Sequence, residues 1–202
     1  DGYLTIVFRA SSIGHACPRK LWYEAVKHIE PVFDTRTLRI FRMGDAVEGL
    51  AVEWLREDGW LVEHNSGSQD AEREMILRID DGVEIRGHHD AIITNDSGRF
   101  VVDVKSMNDR AYAEWVKKGT AAKYPQYLQQ IHCYGKGLEI RKLAIMGVNK
   151  NTSEYRIESF DFDDQIWSAI RDKAIGIAWS EAEPEIPATL PKWCCSYCSY
   201  RG

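Results

Sequence analysis

Two aspartates and a lysine lie on neighbouring strand-like segments, where the surrounding pattern is otherwise apolar. They belong to "GHHDAIITNDSGRFVVDVKSMND", residues 87–109: Asp90 opens the first apolar run, and Asp103 and Lys105 lie near the end of the second. Residues two apart in a strand face the same side, so Asp103 and Lys105 project together. A hairpin through "NDSG" would bring Asp90 beside Asp103. The sequence therefore predicts two carboxylates and an ammonium group in one cleft.

This combination of groups is suited to hydrolysis of a phosphodiester. Two carboxylates in one cleft repel each other, a divalent cation relieves the repulsion, and hard oxygen ligands favour Mg²⁺ or Mn²⁺. Such a cation lowers the pKa of a bound water, and a lysine can orient that water or offset charge in the transition state. The alternative is an ordinary exposed cross-strand pair of Asp103 and Lys105, which the D-x-K triplet alone would favour.

The apolar pattern alternates between helical and strand-like spacing along the chain. Helical spacing predicts helices over residues 14–26, 34–58, 109–119, 125–138 and 163–183. Strand-like spacing predicts strands over residues 1–9, 60–65, 73–79, 83–93, 99–107, 142–150 and 154–162. Ser11 or Ser12 is the predicted N-cap of the first helix. This order predicts an α/β fold with one central mixed sheet flanked by helices.

Composition indicates one globular domain. The chain has 202 residues, of which 44% are hydrophobic and 28% charged, enough for a substantial core. We expect a single domain with an N-terminal helical part (10–60), a catalytic sheet (60–160) and a C-terminal helix with a cysteine cluster (161–202). The net charge of −5 gives no global support for nucleic-acid binding, so any such site is local. No apolar run approaches a membrane span of about 18 residues, and no signal peptide is visible, so a cytoplasmic location is expected.

Two further motifs contain residue types suited to the same site. Gln130 and Tyr134 lie one turn apart on one face of a predicted helix. Glu48 follows Gly44 by four residues in the long predicted helix. Each has an ordinary structural alternative: Glu48 as a solvated helix residue, and Gln130 with Tyr134 at the edge of the core. His88 and His89 flank Asp90 and are interpreted as turn or supporting residues.

In this order the motifs resemble the PD-(D/E)xK nuclease superfamily and, within it, the RecB-like branch that includes the Cas4-like exonucleases. The resemblance implies a restriction-endonuclease-like sheet. It also implies a Mg²⁺ or Mn²⁺ ion held by Glu48, Asp90, Asp103 and the backbone carbonyl of Val104. Lys105 would assist the attacking water, and Gln130 and Tyr134 would position the substrate or the lysine. Glu48 stands where Cas4 and RecB-type enzymes usually carry His, which is more similar to viral recombination exonucleases.

The five cysteines suggest a second metal centre. An odd count in a chain without visible secretion signals argues against a disulfide framework, and three cysteines crowd the C-terminus. The resemblance extends to "SSIGHACPRKLWYE" and "WCCSYCSYRG" and implies an iron–sulfur cluster, of the 4Fe-4S type, on Cys17, Cys195 and Cys198. Either Cys194 or a cysteine beyond Gly202 would supply the fourth ligand, and Zn²⁺ is the alternative occupant. Cys133 is predicted to be a core residue.

The basic residues predict a local DNA-binding surface. Arg36, Arg39 and Arg42 recur every three residues in the long helix, Arg19 lies beside Cys17, and Lys118 precedes the Gln130 helix. Such clusters can follow a phosphate backbone, although helix arginines are often simply solvated. The resemblance implies a bacterial, archaeal or viral deoxyribonuclease, an exonuclease on single-stranded DNA or DNA ends. Its implied roles are recombination, repair or CRISPR adaptation, with partner proteins from those pathways.

Three alternatives remain at this point. A site-specific or structure-specific endonuclease would use the same catalytic residues. A non-catalytic iron–sulfur module would bind DNA without cutting it. In a structural zinc domain, the acid–lysine pattern would be a coincidence.

Overall fold

The computed structural model describes residues 5–64, 74–190, 194–195 and 198–200. Eight strands and six helices are assigned in this part of the chain. In chain order they are β1 (Ile6–Arg9), α1 (Ala10–Ile13), α2 (Pro18–Ala25), α3 (Thr35–Glu57), β2 (Leu61–His64), β3 (Met75–Asp80), β4 (Val83–Gly87), β5 (Ala91–Asn95), β6 (Gly98–Met107), α4 (Asp109–Lys123), α5 (Pro125–Gly137), β7 (Lys142–Asn149), β8 (Tyr155–Asp161) and α6 (Asp164–Ala178). None of these helices is long and apolar enough to cross a bilayer.

The strands form two sheets, so the prediction of one central sheet was wrong. A five-stranded mixed sheet has the order β2-β5-β6-β7-β8, and a three-stranded sheet has the order β1-β4-β3. In the larger sheet β6 and β7 pair in parallel and the other neighbours are antiparallel. Helices α4 and α5 form the crossover that a parallel β6–β7 pair requires. The α/β class with mixed sheets flanked by helices is confirmed.

The single strand predicted over residues 83–93 is two strands that belong to different sheets. The chain leaves β4 at Gly87 and enters β5 at Ala91. A side chain at Gly87 would lie 3.0 Å from Cβ of Ala10 and 3.1 Å from the Tyr134 ring. Glycine therefore permits the close approach of α1 and α5 at the point where the chain changes sheets.

The start of the chain folds as two short helices, so the prediction of one helix capped by Ser11 or Ser12 was wrong. Pro18 occupies the first turn of α2, and the preceding residue, Cys17, has extended backbone angles (φ −95°, ψ 111°). A residue before proline is disfavoured in helical conformation, which explains the break. The long helix is confirmed as α3, and its N-cap Asp34 accepts a hydrogen bond from the Thr37 N–H at 2.7 Å.

The five-stranded sheet separates two apolar clusters. Val101 and Ile145 belong to the cluster that includes α5 and α6, whereas Val102, Val104 and Met146 belong to the cluster under α3. This alternation along β6 places Asp103 on the same face as Val101, towards α5. The sheet thus directs one buried carboxylate at the helix that carries Gln130 and Tyr134.

Candidate active site

The register of the β5–β6 hairpin brings the two aspartates together. Ala91 pairs with Val102, so the preceding residue Asp90 lies beside Asp103. The Oδ2 atom of Asp90 accepts a hydrogen bond from the Val104 N–H at 2.6 Å. The hairpin predicted through "NDSG" is therefore confirmed, and it fixes one carboxylate onto the backbone that follows the other.

Lys105 and Asp103 form a close ion pair inside the protein. Their Nζ and Oδ2 atoms are 2.7 Å apart, and the side chains are 20% and 1% exposed. Oδ2 of Asp103 is nevertheless buried without a hydrogen bond of good geometry from the described residues. The contact is therefore electrostatic in character, and the ammonium offsets the charge of this oxygen.

Gln130 connects the two charged groups from helix α5. Its Nε2 donates to Asp103 Oδ1 at 2.9 Å, and its Oε1 accepts from Lys105 Nζ at 3.2 Å. The same Nε2 lies 3.2 Å from the Tyr134 hydroxyl, one turn along the helix. Gln130 and Tyr134 are both buried. The structure thus brings Asp103, Lys105, Gln130 and Tyr134 into one hydrogen-bonded group.

Glu48 reaches the same electrostatic environment from α3. Burial raises the pKa of Glu48 to about 7, and the charges of Asp45 and Asp103 contribute in the same direction. Burial likewise raises the pKa of Asp90, with Asp103 and Glu48 adding to the rise. For Asp103, burial raises the pKa and Lys105 opposes that rise. The cleft therefore contains more negative charge than its one lysine compensates.

Burial and the neighbouring carboxylates have opposite effects on the pKa of Lys105. Burial by itself would lower the pKa of Lys105, but the charges of Asp103 and Asp90 raise it above its usual value. The ammonium also lies 4.9 Å from the centre of the Tyr127 ring, within cation–π range. The sequence reasoning missed Tyr127, although its position three residues before Gln130 places both on one face of α5.

The donor set fits a hard divalent cation. Three carboxylates of raised pKa lie near one ammonium, and a divalent cation would offset the repulsion between them. In the part of the chain that the structure describes, no three His, Cys, Asp or Glu side chains stand close enough together to hold one ion. Binding would therefore require rotation of the Glu48 or Asp90 side chain towards Asp103.

Four of the five cysteines line a second cavity, which contains none of the acid–lysine site residues. Cys17, Cys194, Cys195 and Cys198 share a cavity of about 440 Å³ with His15, whose Nδ1 accepts from the Cys17 N–H at 3.1 Å. Burial raises the pKa of Cys194, and the neighbouring thiols add to that effect. Cys133 is fully buried in the core, as predicted, and it does not line this cavity.

The predicted DNA-binding residues do not gather at the acid–lysine site. Arg36, Arg39 and Arg42 are exposed on α3, but Arg39 and Glu48 are nine residues apart. Nine residues are two and a half turns, so the two side chains leave opposite sides of the helix. Arg19 is occupied by Glu183 at 3.0 Å and by the Pro184 carbonyl at 2.8 Å. Lys118 is exposed near the end of α4.

Comparison with known proteins agrees with this geometry. The family model of the PD-(D/E)XK nuclease superfamily matches residues 14–202. No sequence among the curated proteins matches the chain. Among solved structures the chain is similar to the protein SSO0001, with a TM-score of 0.60 and 18% identity over 99% of this chain and 86% of that one.

Two bacterial exonuclease structures show the same fold at lower identity. An alkaline exonuclease from Laribacter hongkongensis has a TM-score of 0.54 and 12% identity, with 84% of each chain covered. A phage-related exonuclease from Haemophilus somnus 129PT has a TM-score of 0.56 and 13% identity, with 86% of this chain and 92% of that one covered. At these identities the likeness concerns the fold.

Proposed function

The chain belongs to the PD-(D/E)XK nuclease superfamily, and we propose that it is a Mg²⁺- or Mn²⁺-dependent deoxyribonuclease. We propose further that it is an exonuclease on single strands or DNA ends. The observation that supports this best is the buried group of Asp103, Lys105 and Gln130, linked by contacts of 2.7–3.2 Å. A charged pair held this tightly under a sheet is costly to bury, which favours a catalytic role over a structural one.

Each residue of the site has a distinct role in this proposal. Glu48, Asp90, Asp103 and the Val104 carbonyl would hold the cation, which supplies a water of lowered pKa and offsets charge on the phosphate. Lys105 has three N–H donors, and Asp103 and Gln130 are its two neighbours. The remaining proton can be donated to the attacking water or to a phosphate oxygen. Gln130, oriented by Tyr134, fixes the direction of the ammonium.

Linear and closed circular single-stranded DNA distinguish the modes of cleavage. An exonuclease shortens the end-labelled linear strand in Mg²⁺ or Mn²⁺, leaves the circle intact and stops in EDTA. Cleavage of the circle would instead identify the endonuclease alternative. A protein that binds both the linear and the circular DNA, and cuts neither of them with Mg²⁺ or with Mn²⁺, would be the non-catalytic module.

For the cysteine cavity we propose a structural 4Fe-4S cluster on Cys17, Cys195 and Cys198, with Cys194 or a residue outside this chain as the fourth ligand. One tetrahedral Zn²⁺ ion draws its sulfurs to within about 4 Å of each other, since each Zn–S bond is about 2.3 Å. The thiols line a cavity of about 440 Å³, which has room for the larger group.

Analysis of metal and acid-labile sulfide in anaerobically purified protein tests the cluster. Equal amounts of iron and sulfide, together with visible absorbance, would support the cluster. Zinc in a stoichiometric amount would show that the cavity holds a zinc ion instead. A filled cluster would also support the Cas4-like branch, and with it the proposed roles in recombination, repair or CRISPR adaptation.

A further inference from the structure

Two neighbouring cavities share part of their walls and are together called the groove, and the first of them contains two residues of the proposed catalytic site. The first, of about 530 Å³, is lined by Gln130, Tyr134 and His88. The second, of about 380 Å³, lies beside the start of α3 and is lined by Phe33 and Phe41. Both cavities also contain Val7, Arg9 and Ser11 in their walls. The strand β1 is therefore the shared wall between the catalytic end and the aromatic end.

The aromatic end has two exposed phenyl rings. Phe33 and Phe41 are 41% and 46% exposed, and their ring centroids are 5.0 Å apart at an interplanar angle of 85°. Neither ring belongs to the two apolar clusters of the core. Exposed aromatic side chains beside a nuclease site are surfaces on which unpaired bases stack.

Arg9 is the cation that lines both cavities, whose walls also contain Glu24, Glu30 and Glu74. The other cations of the groove walls are largely neutralised, because Lys20 pairs with Glu24 at 3.4 Å and Arg86 with Glu84 at 2.7 Å. Arg9 is exposed, and no carboxylate of the described residues forms an ion pair with it. A guanidinium at the shared wall is suited to a phosphate that joins two nucleotides.

We propose that a single DNA strand occupies this groove, with a phosphate on Arg9 and a base against Phe33 and Phe41. Cavities of a few hundred Å³ accept one drug-sized molecule each, a size that matches a single nucleotide. This inference rests on the proposed nuclease function and narrows its substrate to ends with unpaired nucleotides. The presence of Gln130 and Tyr134 in the wall of the first cavity favours DNA over a protein partner as the occupant.

Binding to the non-cleaving Lys105→Ala protein separates this inference from catalysis. A short single strand with 2-aminopurine placed at successive positions is titrated without divalent metal, and anisotropy and fluorescence are recorded. We expect quenching at one or two positions. Phe41→Ala should abolish the quenching and weaken binding roughly 5- to 100-fold, the usual loss for one base–aromatic stack. Phe41→Trp should retain both.

Three further variants make the test specific. Met43→Ala removes a side chain that is 54% exposed on the same helix and lines neither cavity, so its binding should match the parent protein. Arg9→Ala should reduce the slope of log Kd against log salt by about 0.7, the value of one single-strand phosphate contact. Phe41→Leu, which keeps an apolar side chain, should resemble Phe41→Ala in the quenching assay.

Several results would overturn the proposal. If the Phe41→Ala and Met43→Ala proteins bind DNA equally well, the proposed contact between a base and Phe41 is wrong. If the slope of log Kd against log salt changes with Arg39→Ala and not with Arg9→Ala, the DNA strand lies on the outer face of α3 instead. Self-association seen by light scattering and lost in Phe41→Ala, without any effect on DNA, would assign the rings to a second copy. Failure of the wild-type protein to cleave DNA would instead refute the proposed function and leave these binding results intact.

Discussion

The acid–lysine site and the cysteine cavity are assembled in different ways. Asp90, Asp103 and Lys105 come from adjacent strands of one hairpin, and Gln130 fixes them from α5 through contacts of 2.9 and 3.2 Å. The cysteines come from opposite ends of the chain and surround a cavity of about 440 Å³. The backbone of the first site is held by sheet register, and only a carboxylate side chain would rotate when a cation binds. The second forms only when the two ends of the chain come together, and a bound metal or cluster would hold them there.

This difference predicts that changes at the first site remove activity and spare the fold. Asp103→Asn keeps the shape of the side chain and its contact with Gln130 but removes the charge that would bind the cation. Cleavage should fall on the order of 1,000-fold, with the melting temperature within a few degrees of wild type. Steady-state cleavage and thermal melts measure both. Asp161→Asn, an exposed position on β8, is the matched control, and a similar loss there would contradict the assignment.

Changes at the cysteine cavity should have the opposite profile. Cys195→Ser should lose bound iron and lower the melting temperature by roughly 10 °C, because metal binding contributes directly to folding. Cleavage per folded molecule should stay within about threefold of wild type. Cys133→Ala removes a core thiol that does not line the cavity, and it should keep its iron. If Cys133→Ala loses its iron and Cys195→Ser keeps it, Cys133 would be the ligand and Cys195 would not.

Gln130 provides a finer test of the rigid site. Gln130→Ala leaves Lys105 paired with Asp103 but without its second neighbour, so kcat should fall roughly 10- to 100-fold while KM changes little. The fold should persist, since the ring of Tyr134 still fills the core. A rise in KM with unchanged kcat would make Gln130 a substrate-binding residue instead.

Burial of Glu48 beside other carboxylates predicts an effect of pH on the stability of the metal-free protein. The pKa of Glu48 is about 7 in the fold and 4.5 ordinarily, so between these values the folded protein binds more protons than the unfolded chain. The free energy of unfolding should therefore fall as pH rises from about 4.5 to about 7. Urea titrations without metal measure the slope, and Glu48→Gln should reduce it. A rise in stability over this range would contradict the raised pKa of Glu48.

Much of the site could be predicted because its signals are local. The turn "NDSG" fixes the β5–β6 register, strand alternation pairs Asp103 with Lys105, and helical spacing pairs Gln130 with Tyr134. Each of these relations follows from backbone geometry over a few residues. The hydrogen bonds between the strand pair and α5 could be expected only through the family resemblance.

The errors concern contacts between distant segments. The strand over 83–93 divides between two sheets because Gly87 lies against α1 and Tyr134, which no local pattern reveals. The arginines of α3 are a different kind of error, because the nine-residue spacing alone places Arg39 and Glu48 on opposite sides of the helix. The groove between Tyr134 and Phe41 exists only once β1 is placed beside β4.

Cleavage of end-labelled single-stranded DNA by wild-type protein and Lys105→Ala, with Mg²⁺ and with EDTA, tests the central claim most directly. Lys150→Ala, which removes an exposed lysine after β7, is the control. We predict metal-dependent loss of label for wild type and Lys150→Ala, and a rate at least about 100-fold lower for Lys105→Ala. Equal rates for wild type and Lys105→Ala, or cleavage that persists in EDTA, would contradict the assignment of this site as a metal-dependent nuclease centre.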